Sequence, residues 1–122
     1  RDGELEQITR DDSWVQEQVD AGLMSDDDAR HHPWSSVLSQ ALGLERPASP
    51  SVYEGTLREG DLFLLCSDGL SGLVEDDEIA GLLRDQGPED LDEAANVLIE
   101  AARNRGGPDN ITVGLLLVSG DD

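Results

Sequence analysis

Five apolar residues in a row, Leu62-Phe63-Leu64-Leu65-Cys66, constrain the fold more than any other stretch of the chain. A strand that is apolar on both faces must be covered on both, so the run predicts a fully buried strand. The turn Arg58-Glu59-Gly60-Asp61 precedes it and Ser67-Asp68-Gly69-Leu70 follows it. Val52 to Leu57 alternates in polarity and predicts a strand, and a connection this tight pairs neighbouring strands antiparallel. A second apolar run, Ile111 to Val118, predicts the last buried strand.

Helical signals lie between and before these runs. Pro88 is placed to open a helix at its first position, and Leu91, Ala94, Ala95, Leu98, Ile99 and Ala102 recur at steps of three and four, ending at Gly106-Gly107-Pro108. Asp76 starts a shorter helix, with Ile79, Leu82 and Leu83 on one face, that stops near Gly87. Ser13 caps a helix over Trp14 to Ala21, and Gly22 is suited to end it. Glu17 lies too far along for a strict capping box. Ser25 begins another helical turn, where Asp26 to Asp28 suit the positive end of the dipole. These three acids also invite a metal-loop reading, but no glycine-punctuated calcium-loop spacing follows them. At the start, Asp2-Gly3 reads as a hairpin turn leading into a short strand at Leu5.

Composition limits the possible partners. The 122 residues carry 28 acidic against 8 basic side chains, all arginine, for a formal net charge of −20. That field repels phosphate backbones and anionic lipid, which argues against nucleic-acid or membrane partners and favours cations. A solvated acidic face adapted to high salt explains the same count. Apolar residues make up 37%, enough for one globular core. Cys66 is the sole cysteine, so no intrachain disulfide forms. Neither a secretory segment nor a run of about 20 apolar residues is present, and a cytoplasmic setting is expected. Within its apolar run, Cys66 reads as a buried structural thiol rather than a nucleophile. His31 and His32 are adjacent and point apart in any regular structure, so a loop with a surface or packing role is expected there rather than zinc.

The chemistry-bearing residues fall at two strand ends. Asp68 follows the first buried run in Cys66-Ser67-Asp68-Gly69, and Asp109 precedes the second in Gly107-Pro108-Asp109-Asn110. Carboxylates beside glycine leave room for a hard divalent cation with its waters, whereas Asp-Gly and Pro-Asp are also ordinary turn dipeptides. Spacing alone leaves both readings open.

The segments Gly60-Asp61-Leu62-Phe63-Leu64-Leu65-Cys66-Ser67-Asp68-Gly69-Leu70 and Gly106-Gly107-Pro108-Asp109-Asn110-Ile111-Thr112-Val113 resemble the two carboxyl-terminal motifs of the metal-dependent protein serine/threonine phosphatases of type 2C. Thr9-Arg10-Asp11-Asp12-Ser13, the run from Val19 through Pro33, and Ala41-Leu42-Gly43 are similar to the region between motifs in bacterial members, which includes a flap over about residues 22–50. The resemblance spans Arg1 to Val118. It implies an α+β fold, part of a four-layer αββα sandwich of two antiparallel sheets flanked by helices. It implies Asp68 and Asp109 as ligands of a binuclear Mn2+ or Mg2+ centre, with Ser67, Gly69 and Asn110 in support. The metals of that family activate a water that attacks phosphoserine or phosphothreonine, so no phosphoenzyme forms.

The family also uses an Asp-Gly-x-Gly-Gly motif and a Gly-Asp-Ser motif, neither of which occurs in these residues. Ser35 stands where bacterial members commonly carry an arginine. The expectation is therefore the carboxyl-terminal portion of one phosphatase domain over residues 1–122, nearly inactive alone. Its partners would be the amino-terminal half of the domain and a signalling phosphoprotein substrate, a serine/threonine kinase being one candidate. The alternative is an acidic, non-catalytic binding or regulatory half-domain that self-associates through its uncovered sheet.

Overall fold

The computed structural model describes residues 1–43, 46–87 and 89–120. These form a mixed helix and strand fold with a small antiparallel sheet. Two compact units are present: one joins Arg1–Glu6 to Thr56–Asp122, and the other is Gln7–Gly55.

In the first unit, β1 (Leu62–Cys66) pairs antiparallel with β2 (Val113–Leu117), Leu62 opposite Leu117 and Cys66 opposite Val113. The chain leaves β1 directly into α3 (Asp68–Ser71), then runs through α4 (Asp76–Gln86) and α5 (Leu91–Arg103) before returning as β2. Leu70, Val74, Ile79, Leu98 and Ala102 form the buried cluster, with Leu64 and Val113 of the sheet packed against it. The periodicity of α5 accounts for this, because Ala94, Leu98 and Ala102 lie on one stripe and all three are buried. Asp90 caps α5 by accepting a hydrogen bond from the Glu93 amide at 3.0 Å. The predicted start at Pro88 lies outside the described residues, and the helix itself begins at Leu91.

Several strand expectations are corrected. Antiparallel register puts Leu64, opposite Leu115, on the helix-facing side of the sheet and Phe63, Leu65 and Leu116 on the other. Leu65 is 66% and Leu116 59% exposed, so β1 is covered on one face rather than two. Cys66, expected as a buried thiol, is exposed as well, at the end of β1 where the sheet stops, although alternation puts it on the same side as Leu64. The last strand is shorter than Ile111 to Val118 and alternates half-buried with exposed positions.

Val52 to Leu57 forms no strand. Val52 is 80% and Leu57 63% exposed, and an alternating segment becomes a strand only where a partner takes its backbone bonds. The neighbour of β1 is β2 instead, far away in the chain. The opening turn does form: the Glu4 amide donates to the Arg1 carbonyl at 2.9 Å, with left-handed φ of 51° at Asp2 and 80° at Gly3. The short strand predicted after it does not.

The unit Gln7–Gly55 is built from local signals. In α1 (Trp14–Asp20) the Ser13 hydroxyl accepts from the Gln16 amide. Gly22, with φ of 75°, closes the helix as its amide donates to Val19 and the Leu23 amide to Gln18. Ser25 caps α2 (Asp26–His31) by accepting from the Asp28 amide, so the three aspartates occupy a helix first turn. His31 is exposed, with Nδ1 2.9 Å from the Asp27 carbonyl. His32 packs instead, its ring 5.3 Å from Trp14, and Trp14 meets Trp34 edge-on at 4.9 Å. The expected flap falls in this unit, except that Leu44 and Glu45 lie outside the described residues.

Candidate metal centre

The two motifs predicted to carry chemistry meet because β1 and β2 pair. Beyond the last sheet pair, Cys66 with Val113, Ser67 stands opposite Thr112, and the Ser67 amide donates to the Thr112 carbonyl at 3.0 Å. The Ser67 hydroxyl accepts from the Thr112 amide at 3.0 Å and donates to the Asn110 carbonyl at 3.2 Å. The loop before β2 is thus held against the end of β1 by backbone and hydroxyl groups.

Gly69 completes the contact. It is buried, and a Cβ there would lie 2.1 Å from the Asn110 carbonyl oxygen and 2.9 Å from its carbon. Both obstacles are backbone, so only glycine permits this approach. The small residue beside Asp68 is therefore required by packing of the second loop.

Asp68 is the first residue of α3, directly after Ser67, and its carboxylate is exposed. Asp109 directly precedes Asn110 and is also exposed; one of its oxygens, Oδ1, accepts from the Asn110 amide at 2.7 Å. That bond orients the carboxylate and leaves its second oxygen for another partner. Two acidic side chains on adjoining loops are the hard oxygen donors that Mn2+ and Mg2+ prefer. Among the described residues no group of three or more His, Cys, Asp and Glu side chains is gathered for a metal ion. The donor chemistry fits a divalent cation, and the donor number fits a part share of its ligand shell.

The resemblance had cast Asn110 in support. In the structure the contacts of Asn110 are made by its backbone, the carbonyl against Ser67 and Gly69 and the amide on Asp109. Thr112 went unmarked in the sequence, since a contact made by a main-chain amide leaves no residue-type signature.

Asp61, at the other end of β1, was read only as part of a turn. It is buried, and Arg1 donates to both its oxygens at 2.7 Å while the Arg58 amide donates at 2.8 Å. The Arg1 guanidinium and then the Arg58 amide hold its carboxyl well below the usual carboxylate range. Its own carbonyl accepts from the Val118 amide, which carries the β1 and β2 pairing past Leu62. Asp61 thus anchors the sheet at the end away from Asp68.

Known proteins resemble the chain in sequence and in fold. Residues 44–111 match the family described as protein phosphatase 2C. The serine/threonine protein phosphatase PstP of Mycobacterium tuberculosis is 47% identical over 113 residues, 93% of this chain and 21% of that protein. The structure of the S. agalactiae serine/threonine phosphatase superposes with a TM-score of 0.89 at 37% identity, covering 98% of this chain and 48% of that one. The catalytic domain of PstP, solved in complex with two manganese ions, gives 0.78 at 43% identity, covering 94% and 45%. The chain therefore spans from about a fifth to about half the length of these relatives.

Proposed function

The chain belongs to the protein phosphatase 2C family, and from that premise we propose that residues 1–122 are the carboxyl-terminal portion of a bacterial-type phosphatase domain, a partial four-layer sandwich with its flap over about residues 22–50. The parent protein hydrolyses phosphoserine and phosphothreonine in phosphoproteins, serine/threonine kinases among them, in cytoplasmic signalling. Its amino-terminal half supplies the remaining metal ligands.

Asp68 and Asp109 hold Mn2+ or Mg2+, each presenting an exposed carboxylate. When bound, the metal pair lowers the pKa of a water and neutralises phosphoryl oxygens. The residues of this chain position: Ser67 and Gly69 seat the loop of Asp109, and the Asn110 amide orients its carboxylate. The observation that carries the reading is the contact of Ser67 and Gly69 with Asn110, which sets the two aspartate loops side by side. The self-associating half-domain has weaker support, because both family motifs are present and adjoin.

Hydrolysis of para-nitrophenyl phosphate by the longer protein carrying this chain tests the proposal. With Mn2+ present, Asp68→Asn and Asp109→Asn should each lower kcat/KM by about a hundredfold or more, the loss expected when a charge-stabilising group leaves a site. Activity of either variant at the unsubstituted level would sink it.

A further inference from the structure

Ser67 sits where a strand turns into a helix, and its backbone carbonyl cannot serve both. In an antiparallel pair of the kind formed by Ser67 and Thr112, each residue donates its amide to the other's carbonyl. Ser67 does donate to Thr112. Its own carbonyl has gone elsewhere, accepting from Leu70 at 3.1 Å and Ser71 at 3.5 Å in the first turn of α3. The Thr112 amide would be stranded, and the Ser67 hydroxyl takes it at 3.0 Å. The hydroxyl proton then goes to Asn110. Ser67 is also the N-cap of α3, yet its side chain makes no capping bond, because the oxygen is turned toward the opposite loop.

We propose that Ser67 is the positioning residue of the centre, its hydroxyl replacing the carbonyl that the helix has taken and so fixing the spacing between the Asp68 and Asp109 loops. The proposal rests on the metal reading above. One oxygen lies a single residue from each aspartate: Asp68 follows Ser67, and Asp109 precedes the residue that takes its proton. Alanine supplies neither the acceptor nor the donor, whereas threonine supplies both. An apolar side chain at 67 would leave the Thr112 amide and the Asn110 carbonyl seeking water, and the two loops would part.

The test is a Mn2+ titration of the isotopically labelled longer protein that carries this chain, read as paramagnetic broadening of individual amide signals, together with hydrogen exchange at Thr112. In the unsubstituted chain the amides of residues 67–69 and 109–112 should broaden at the same Mn2+ concentration, and Asp68→Asn should abolish this. In Ser67→Ala the Thr112 amide should exchange about tenfold faster, as loss of one hydrogen bond implies. Broadening of both segments should also need about tenfold more Mn2+. Ser67→Thr should restore both readouts. Should Ser67→Ala fail to fold, Ser67→Cys, a weaker donor and acceptor of similar size, is read in its place.

The same titration of both loops in Ser67→Ala as in the unsubstituted chain would overturn the positioning role alone. Absence of broadening in the unsubstituted chain, or broadening unchanged by Asp68→Asn, would overturn the metal reading and this proposal with it.

Discussion

The two compact units are held by different forces. Arg1–Glu6 with Thr56–Asp122 contains a contiguous apolar cluster in which Leu70, Val74 and Leu98 have no exposed surface. Among its described residues, Gln7–Gly55 has two buried apolar side chains, Val15 and Ala29, and relies on caps, the Trp14, His32 and Trp34 rings, and polar ties such as Gln40 to Asp12 and the Ser49 amide. Apolar burial scales with area and binds distant parts of a chain, whereas a cap secures only its own turn. The candidate centre lies on the first kind of scaffold. Asp68 begins α3, and the loop that carries Asp109 is tied to the end of β1.

The comparison is most exposed to a cavity in the apolar cluster. Leu98→Ala should lower the stability of the first unit by about 2–5 kcal/mol, since the side chain is fully enclosed. Denaturant titration gives the magnitude, and amide exchange shows where protection is lost. Loss confined to α3, α4, α5 and the sheet supports separate cohesion. Equal loss across residues 7–55 would break the distinction.

A smaller effect is expected from Ser13→Ala, about 1 kcal/mol for a lost helix cap. Exchange should quicken within α1 and leave Leu98 and its neighbours protected. If this substitution melts the unit wholesale, the cap carries more than its own turn and the comparison needs sharpening.

The smallest effect concerns acid, because Arg1, the principal partner of Asp61, is itself 44% exposed and its pairing is screened by solvent. The folded pKa of Asp61 lies below that of the unfolded chain, about 3.9. Its contribution is therefore present above about pH 4 and is lost as pH falls through the lower, folded value. Asp61→Asn should destabilise the first unit at neutral pH and flatten the acid limb of its stability profile. An acid limb identical in the two proteins would remove Asp61 from the anchoring role.

What could be read from the sequence follows from how far each interaction reaches. Ser13, Gly22, Ser25 and the stripe through Leu98 act over one or two turns, and the helices they predict are present. Strand pairing is not local. The alternation of Val52 to Leu57 indicates a segment able to pair, not one that has a partner. The pairing of Leu62 with Leu117 depends on three helices folding between them. Burial of Leu65 and Cys66 was misread because a continuous apolar run reports what could be covered and says nothing of what covers it. In the candidate centre the side-chain types Asp68 and Asp109 were legible through family resemblance. The contact between their loops runs through the Asn110 carbonyl, which every residue type offers, and the Thr112 amide, which every type but proline offers.

The outward face of the sheet bears on how the chain behaves in bulk. In these 122 residues taken by themselves, of formal charge −20, Leu65 and Leu116 present a greasy strip to water. Mutual repulsion between copies opposes contact of such strips over a range set by the Debye length, about 30 Å at 0.01 M salt and about 3 Å at 1 M. Colloidal stability is thus greatest in dilute buffer, and concentrated electrolyte, by shortening that range, brings the strips of separate molecules within reach of one another.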